Sequence, residues 1–164
     1  MHTLCSKYLQ NKMLTQDMRH FSSPAYYKAG GGCDLEYRGI DVSSWQGVID
    51  WKKVADHGTE FAIIRITEAG NAIDRYFERN YAGCMEYRIP TGVYKFSYAL
   101  SIDEVRREAE KVIEVLKGRK LQFPVFLDLE YSNQRRLGTE MIARLAEAFR
   151  RIIVDAGYRF GIYC

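Results

Sequence analysis

No run of apolar residues in this sequence reaches the length of a membrane-spanning helix, which excludes a helical integral membrane protein as the expectation. The N-terminal stretch "MHTLCSKYLQNKMLTQDMRHF" lacks the uninterrupted apolar core of a secretory signal. Cysteine is sparse: Cys5, Cys33, Cys84 and Cys164 show no metal-ligand spacing and read as free thiols or one incidental disulfide. Histidine is sparser still. His2 and His20 lie near the N-terminus and His57 sits at a helix end, so no histidine–carboxylate cluster points to a metal. No glycine-rich phosphate loop is present, and "DVSSWQG" stands where a nucleotide fold would carry one. A net charge of +3, without a basic run interleaved with aromatics, argues against nucleic acid as a partner.

What is present is a globular composition. The 164 residues suffice for one domain with a real core, and 47% of them are hydrophobic against 27% charged. Tyrosine is abundant, with 12 copies, a residue that suits sugar and polar-ligand surfaces as well as cores. Residues 1–37 show no clear periodicity and end in "KAGGGCDLEYR", which reads as a tail with a flexible glycine linker. From Arg38 onward the pattern is regular. "RGIDVSSW", "EFAIIRIT", "TGVYKFSYA", "QFPVFLDLE" and "YRFGIYC" read as strands, and four amphipathic helices alternate with them.

The helix signals are specific. Asp50 and Asp74 are expected N-caps, Gly58 a stop and Gly118 a left-handed C-cap. Phe77, Tyr81 and Cys84 form one apolar face. Val105, Ala109, Val112, Ile113 and Leu116 form another, and Ile142, Leu145, Ala146, Phe149, Ile152 and Ile153 a third. Strict alternation of strand and helix predicts an α/β fold with a parallel sheet of about five strands and four helices.

In such sheets, functional groups gather beyond the C-terminal strand ends. Those positions hold Asp41 and Ser43, then Arg65, Thr67 and Glu68, then Phe96 and Tyr98, then Asp128 and Glu130, then Tyr163. In "FPVFLDLEYS", Asp128 and Glu130 stand two residues apart and so share a strand face. Two carboxylates ending an otherwise buried strand are costly without a use. The set suits cofactor-free acid–base chemistry on a hydroxyl-rich substrate. Plainer readings stand beside it: Asp128 as a helix cap or a partner for Arg65, Asp41 as a strand-end stabiliser through Ser43 and Ser44. Trp45 and Trp51 read as packing residues, and Tyr94 and Phe96 as core.

The segments "RGIDVSSWQGVIDWKKV", "EFAIIRITEAG", "DRYFERNYAGC", "IPTGVYKFSYA", "FPVFLDLE" and "GIYC" resemble, in order and spacing, the lysozymes of glycoside hydrolase family 25. The resemblance covers residues 38–164 and implies an N-acetylmuramidase with a TIM-like (β/α) barrel, no cofactor, bacterial cell-wall peptidoglycan as partner, and action outside the cell or at the wall. By the same resemblance Asp41, Asp128 and Glu130 are catalytic, with Glu130 the proton donor. Arg65, Tyr98 and Tyr163 then contact substrate. Asp128 is expected to stay ionised and to hold Glu130's proton or orient the substrate's N-acetyl group. Two departures accompany the match. Lys95 stands where the family usually has histidine, which alters a hydrogen-bonding position near the cleft, and a full member continues through three further strands. The barrel is therefore expected to be incomplete, with open edges that allow self-association, and a non-catalytic glycan-binding relative is the alternative.

Overall fold

The computed structural model describes residues 39–163. The expected N-terminal tail, with Cys5, Cys33, His2 and His20, lies outside the described residues, as does Cys164. Five strands, β1 (Gly39–Val42), β2 (Phe61–Arg65), β3 (Thr91–Phe96), β4 (Val125–Asp128) and β5 (Phe160–Tyr163), form one sheet in chain order. Every pairing is parallel. The helices α1 (Trp51–Asp56), α2 (Phe77–Glu86), α3 (Ile102–Leu116) and α4 (Gly138–Asp155) make the four crossovers. Because neighbours in the sheet are also neighbours in sequence, right-handed crossovers place all four helices on one side. This is the α/β repeat expected of a (β/α) barrel. Among the described residues it is open, with β1 and β5 as its edges.

The helices form where their caps and stripes require. Asp50 accepts the Lys53 N–H at 3.1 Å and caps α1, and Gly58 follows with φ +75°. Ser101 accepts the Glu104 N–H and caps α3, while Gly118 ends it with φ +78°, where a side chain would be strained. His57 is the C-cap of α1, its ring Nδ1 2.7 Å from the Lys53 carbonyl. Asp74 departs from its expected simple cap role. It lies two residues before the N-cap Tyr76 and takes the Tyr76 N–H on one carboxylate oxygen, while the other serves a different partner.

The core lies between the sheet and its helices. Ala62, Ile64, Val93, Val125 and Leu127 project from the strands onto Phe77, Cys84, Val105, Val112, Leu116, Leu145, Phe149 and Ile153. Trp51 is buried as expected and packs flat on α2, where Gly83 permits the approach: a Cβ there would stand 2.2 Å from the indole ring. Its indole N–H donates to Asn80. Cys84 is a free thiol, and burial pushes it up to about 11.

One buried cluster was not anticipated. Lys95 and Ser97 alternate with Val93 and therefore face the helices, not the cleft. Glu108, inside the apolar stripe of α3, meets them there. It accepts from Ser97 Oγ at 2.7 Å and from the Tyr98 N–H at 2.9 Å, and stands 3.5 Å from Lys95 Nζ. Gln134, in the turn after β4, donates to the carbonyls of Ser97 and Ala99. The expectation that Lys95 lies at a hydrogen-bonding position near the cleft is thus corrected: strand alternation turns it inward, and Glu108 compensates its charge.

Candidate active site

The strand face turned away from the helices carries a different population. Alternation places Asp41 on β1, Ile63 and Arg65 on β2, Tyr94 and Phe96 on β3, Phe126 and Asp128 on β4, and Gly161 and Tyr163 on β5 along that face. In register, Phe96, Asp128 and Tyr163 form its last layer. Glu130 lies two residues beyond the end of β4 and is exposed, as is Asp41. Asp128 is 7% exposed.

That difference in burial governs the electrostatics. Burial pushes the Asp128 carboxyl up to about 7, the Glu130 charge adds to the rise, and Asp41 adds further. A hydrogen bond from the Glu130 backbone works in the other direction. Asp128 Oδ1 has no hydrogen-bond partner among the described residues. Asp128 therefore senses the charges of both Glu130 and Asp41. Against the expectation of an ionised Asp128, desolvation outweighs the hydrogen bond that would stabilise its charge and raises its carboxyl.

Arg65 has protein partners. Its Nε donates to Asp74 Oδ2 at 2.7 Å, and its terminal nitrogen lies 2.6 Å from the same oxygen and 2.6 Å from Ser44 Oγ. Asp74 Oδ2 also accepts the Ser44 N–H. The arginine thus ties the turn after β1 to the segment before α2. Its acids are Asp74 and, at 3.8 Å, Glu68, rather than Asp128 as one sequence reading allowed.

Tyr94, read from sequence as core, is half-buried and lies on the same sheet face as Arg65 and Phe126, with which it is in register. Burial raises its hydroxyl to about 12; Arg65 and the Ser43 side chain oppose the rise, while Asp41 and Asp128 reinforce it. The hydroxyl is consequently within electrostatic reach of both acids and the arginine. Tyr98 is half-buried in an aromatic row, its ring 5.0 Å from Phe96 and 5.2 Å from Tyr131, the residue after Glu130. Glu108 and Gln134 hold this row from behind through the Tyr98 N–H and the carbonyls of Ser97 and Ala99. Tyr163 is half-buried beside Asp128 across the β4–β5 pairing. No group of three or more His, Cys, Asp or Glu among the described residues is arranged to hold a metal ion. Nor is any helix among them long and apolar enough to cross a membrane.

A parallel (β/α) sheet with carboxylates at the ends of its first and fourth strands defines a class of acid–base sites seen in barrel hydrolases. Comparison with known proteins narrows the class. The family model for glycosyl hydrolases family 25 matches residues 40–164, and the chain belongs to that family. It is 38% identical over 131 residues to the uncharacterized protein YegX of Escherichia coli K12, covering 76% of this chain and 47% of that protein. A shorter match, 43% over 60 residues, links it to lysozyme M1 of Streptomyces globisporus and covers 37% of this chain and 20% of that one. Among solved structures, the modular autolysin LytC of Streptococcus pneumoniae superposes with a TM-score of 0.68 at 28% identity. That superposition covers 76% of this chain and 31% of LytC. The chain spans about half the length of YegX.

Proposed function

We propose that this chain carries the acid–base half of a peptidoglycan hydrolase and cleaves the β-1,4 bond between N-acetylmuramic acid and N-acetylglucosamine. One observation carries the reading: a buried carboxyl, Asp128, raised to about 7 and flanked by the charges of Glu130 and Asp41. Its unpartnered oxygen supports the same reading. The likeness to lysozyme M1, and to LytC, whose structure was solved with a synthetic peptidoglycan ligand, supports the choice of substrate.

Glycoside hydrolysis needs one proton delivered to the leaving oxygen while a negative charge remains to balance the developing oxocarbenium ion. Asp128 and Glu130 divide these two functions between them. Glu130, the exposed member, delivers the proton to the glycosidic oxygen. Asp128, pushed up to about 7, acts in its ionised form: it orients the substrate's N-acetyl group, whose oxygen bonds to the anomeric carbon as the glycosidic bond breaks, and water then opens that ring. Asp41 adds negative charge from β1. Tyr98 and Tyr163 contact sugar, and Tyr94 joins the two acid-bearing strands. Arg65 holds the wall of the cleft through Ser44 and Asp74. Action takes place outside the cell or at the wall, where the polymer is.

The test is product chemistry. Purified peptidoglycan is incubated with the chain, reduced with borohydride and hydrolysed to its amino sugars. Reduced muramic acid is the expected new product. Reduced glucosamine, or freed peptide ends without new reducing sugars, would overturn the bond assignment, and no products at all would favour a glycan-binding role.

A further inference from the structure

Of the two tryptophans in the sequence, one behaves as packing and the other does not. Trp51 is 5% exposed, whereas Trp45 is 85% exposed. A single exposed ring is ordinary on a protein surface, and what sets Trp45 apart is the backbone that holds it. The backbone under Trp45 is unusually well fixed for a surface turn. Residues Ser44–Gln46 form a single 3-10 turn closed by a capping box. Ser43 Oγ accepts the Trp45 N–H, and Gln46 Oε1 accepts the Ser43 N–H at 2.8 Å. From outside, Asp74 and Arg65 grip Ser44 through its N–H and hydroxyl.

The turn is continuous with the candidate site. It follows β1 closely, Trp45 standing four residues after Asp41, and the Ser43 side chain at its root opposes the rise of the Tyr94 hydroxyl. Its surroundings are mixed: Ser44, Gln46 and the Glu68–Arg75 ion pair, with Nε to Oε1 at 3.0 Å, stand with two exposed aliphatic side chains, Val48 three residues on and Ile73 beside Asp74. A single rigid indole fringed by hydrogen-bonding groups suits a ligand with one apolar face and a polar rim, which describes a pyranose ring.

We propose that Trp45 is a carbohydrate platform that stacks one N-acetylhexosamine of a β-1,4-linked chain, extending the acid site along the glycan. The inference rests on the glycan reading above for its choice of ligand. The ring adds contact area and orientation, and no bond is made or broken on it.

The 164-residue chain provides its own reporter, because Trp51 is sealed and emission changes report Trp45. In the free chain, iodide should quench Trp45 readily. Tetra-N-acetylchitotetraose should then shift the emission saturably and protect it from iodide. Trp45→Ala should abolish the shift and weaken binding, measured by calorimetry, by about tenfold. Trp45→Tyr, which keeps a ring, should recover most of that affinity. Binding that leaves Trp45 emission and quenching unchanged would overturn the proposal, as would a Trp45 already shielded in the free chain or the absence of any tetramer binding. Stacking on Trp45 without release of reduced muramic acid would keep this inference and discard the catalytic reading.

Discussion

The two faces of the sheet handle charge in opposite ways. On the helix side, Lys95 is fully buried but faces Glu108, and Glu108 is in turn held by Ser97 and the Tyr98 backbone. On the other side, Asp128 is nearly as deep, yet the charges that act on it are those of Glu130 and Asp41, of the same sign; one of its oxygens, like Lys95 Nζ, has no hydrogen-bond partner among the described residues. A buried charge with a complement is a structural element; one surrounded by its own sign is an unmet requirement, which a substrate can meet. The contrast also shows in the titrating groups. Burial pulls Lys95 down while Glu108 resists, whereas at Asp128 burial and neighbouring charge act in the same direction.

This comparison breaks first at Glu108. Glu108→Ala strips Lys95 of its compensating charge and frees the Tyr98 N–H, so unfolding in urea should show a loss of about 3–5 kcal/mol. A loss below 1 kcal/mol would mean the helix-side pair is not structural. Asp128→Asn should do the reverse. The folded chain holds the Asp128 proton up to about 7, while the unfolded chain releases it at the ordinary carboxylate value. Stability from this group is therefore complete in acid, falls as pH rises through the window between those values, and is flat above it. Removing the charge should flatten that slope and stabilise the chain above neutrality by about 3–4 kcal/mol, read from urea curves across pH. Gln134→Ala leaves the Ser97 and Ala99 carbonyls without their donor and should cost about 1–3 kcal/mol. Trp45→Ala, on an exposed ring, should change stability by no more than about 0.5 kcal/mol in the same measurement.

Much of this was legible in the sequence, for identifiable reasons. Strand and helix boundaries followed from Asp50 and Gly118, whose roles are local and need no tertiary contact. Asp128 and Glu130 stood out because spacing alone puts them on one face. What was hidden depended on which face a residue takes and what meets it there. Tyr94 alternates with Phe96 and Tyr98 and so belongs with the cleft, a signal present in the period of β3 but masked by its aromatic neighbours. Lys95 is one step out of that phase and had to face the helices. Glu108 stands three residues after Val105 and four before Val112, inside an apolar stripe, and an acid there asks for a buried base. The partner of Arg65 was not legible, since Asp74 reaches it only through the loop between β2 and α2. Trp45 misled because a tryptophan beside a strand end ordinarily packs, as Trp51 does.

The most direct test of the central claim is the rate of muramic-acid end release by the chain and by its Glu130→Gln variant. The amide keeps the shape of the side chain, removes its transferable proton and relieves repulsion with Asp128. The account predicts a folded protein of unchanged or slightly higher stability whose hydrolysis falls by roughly two to four orders of magnitude. An unchanged rate in a folded variant would contradict the assignment of the open-face carboxylates as the catalytic pair.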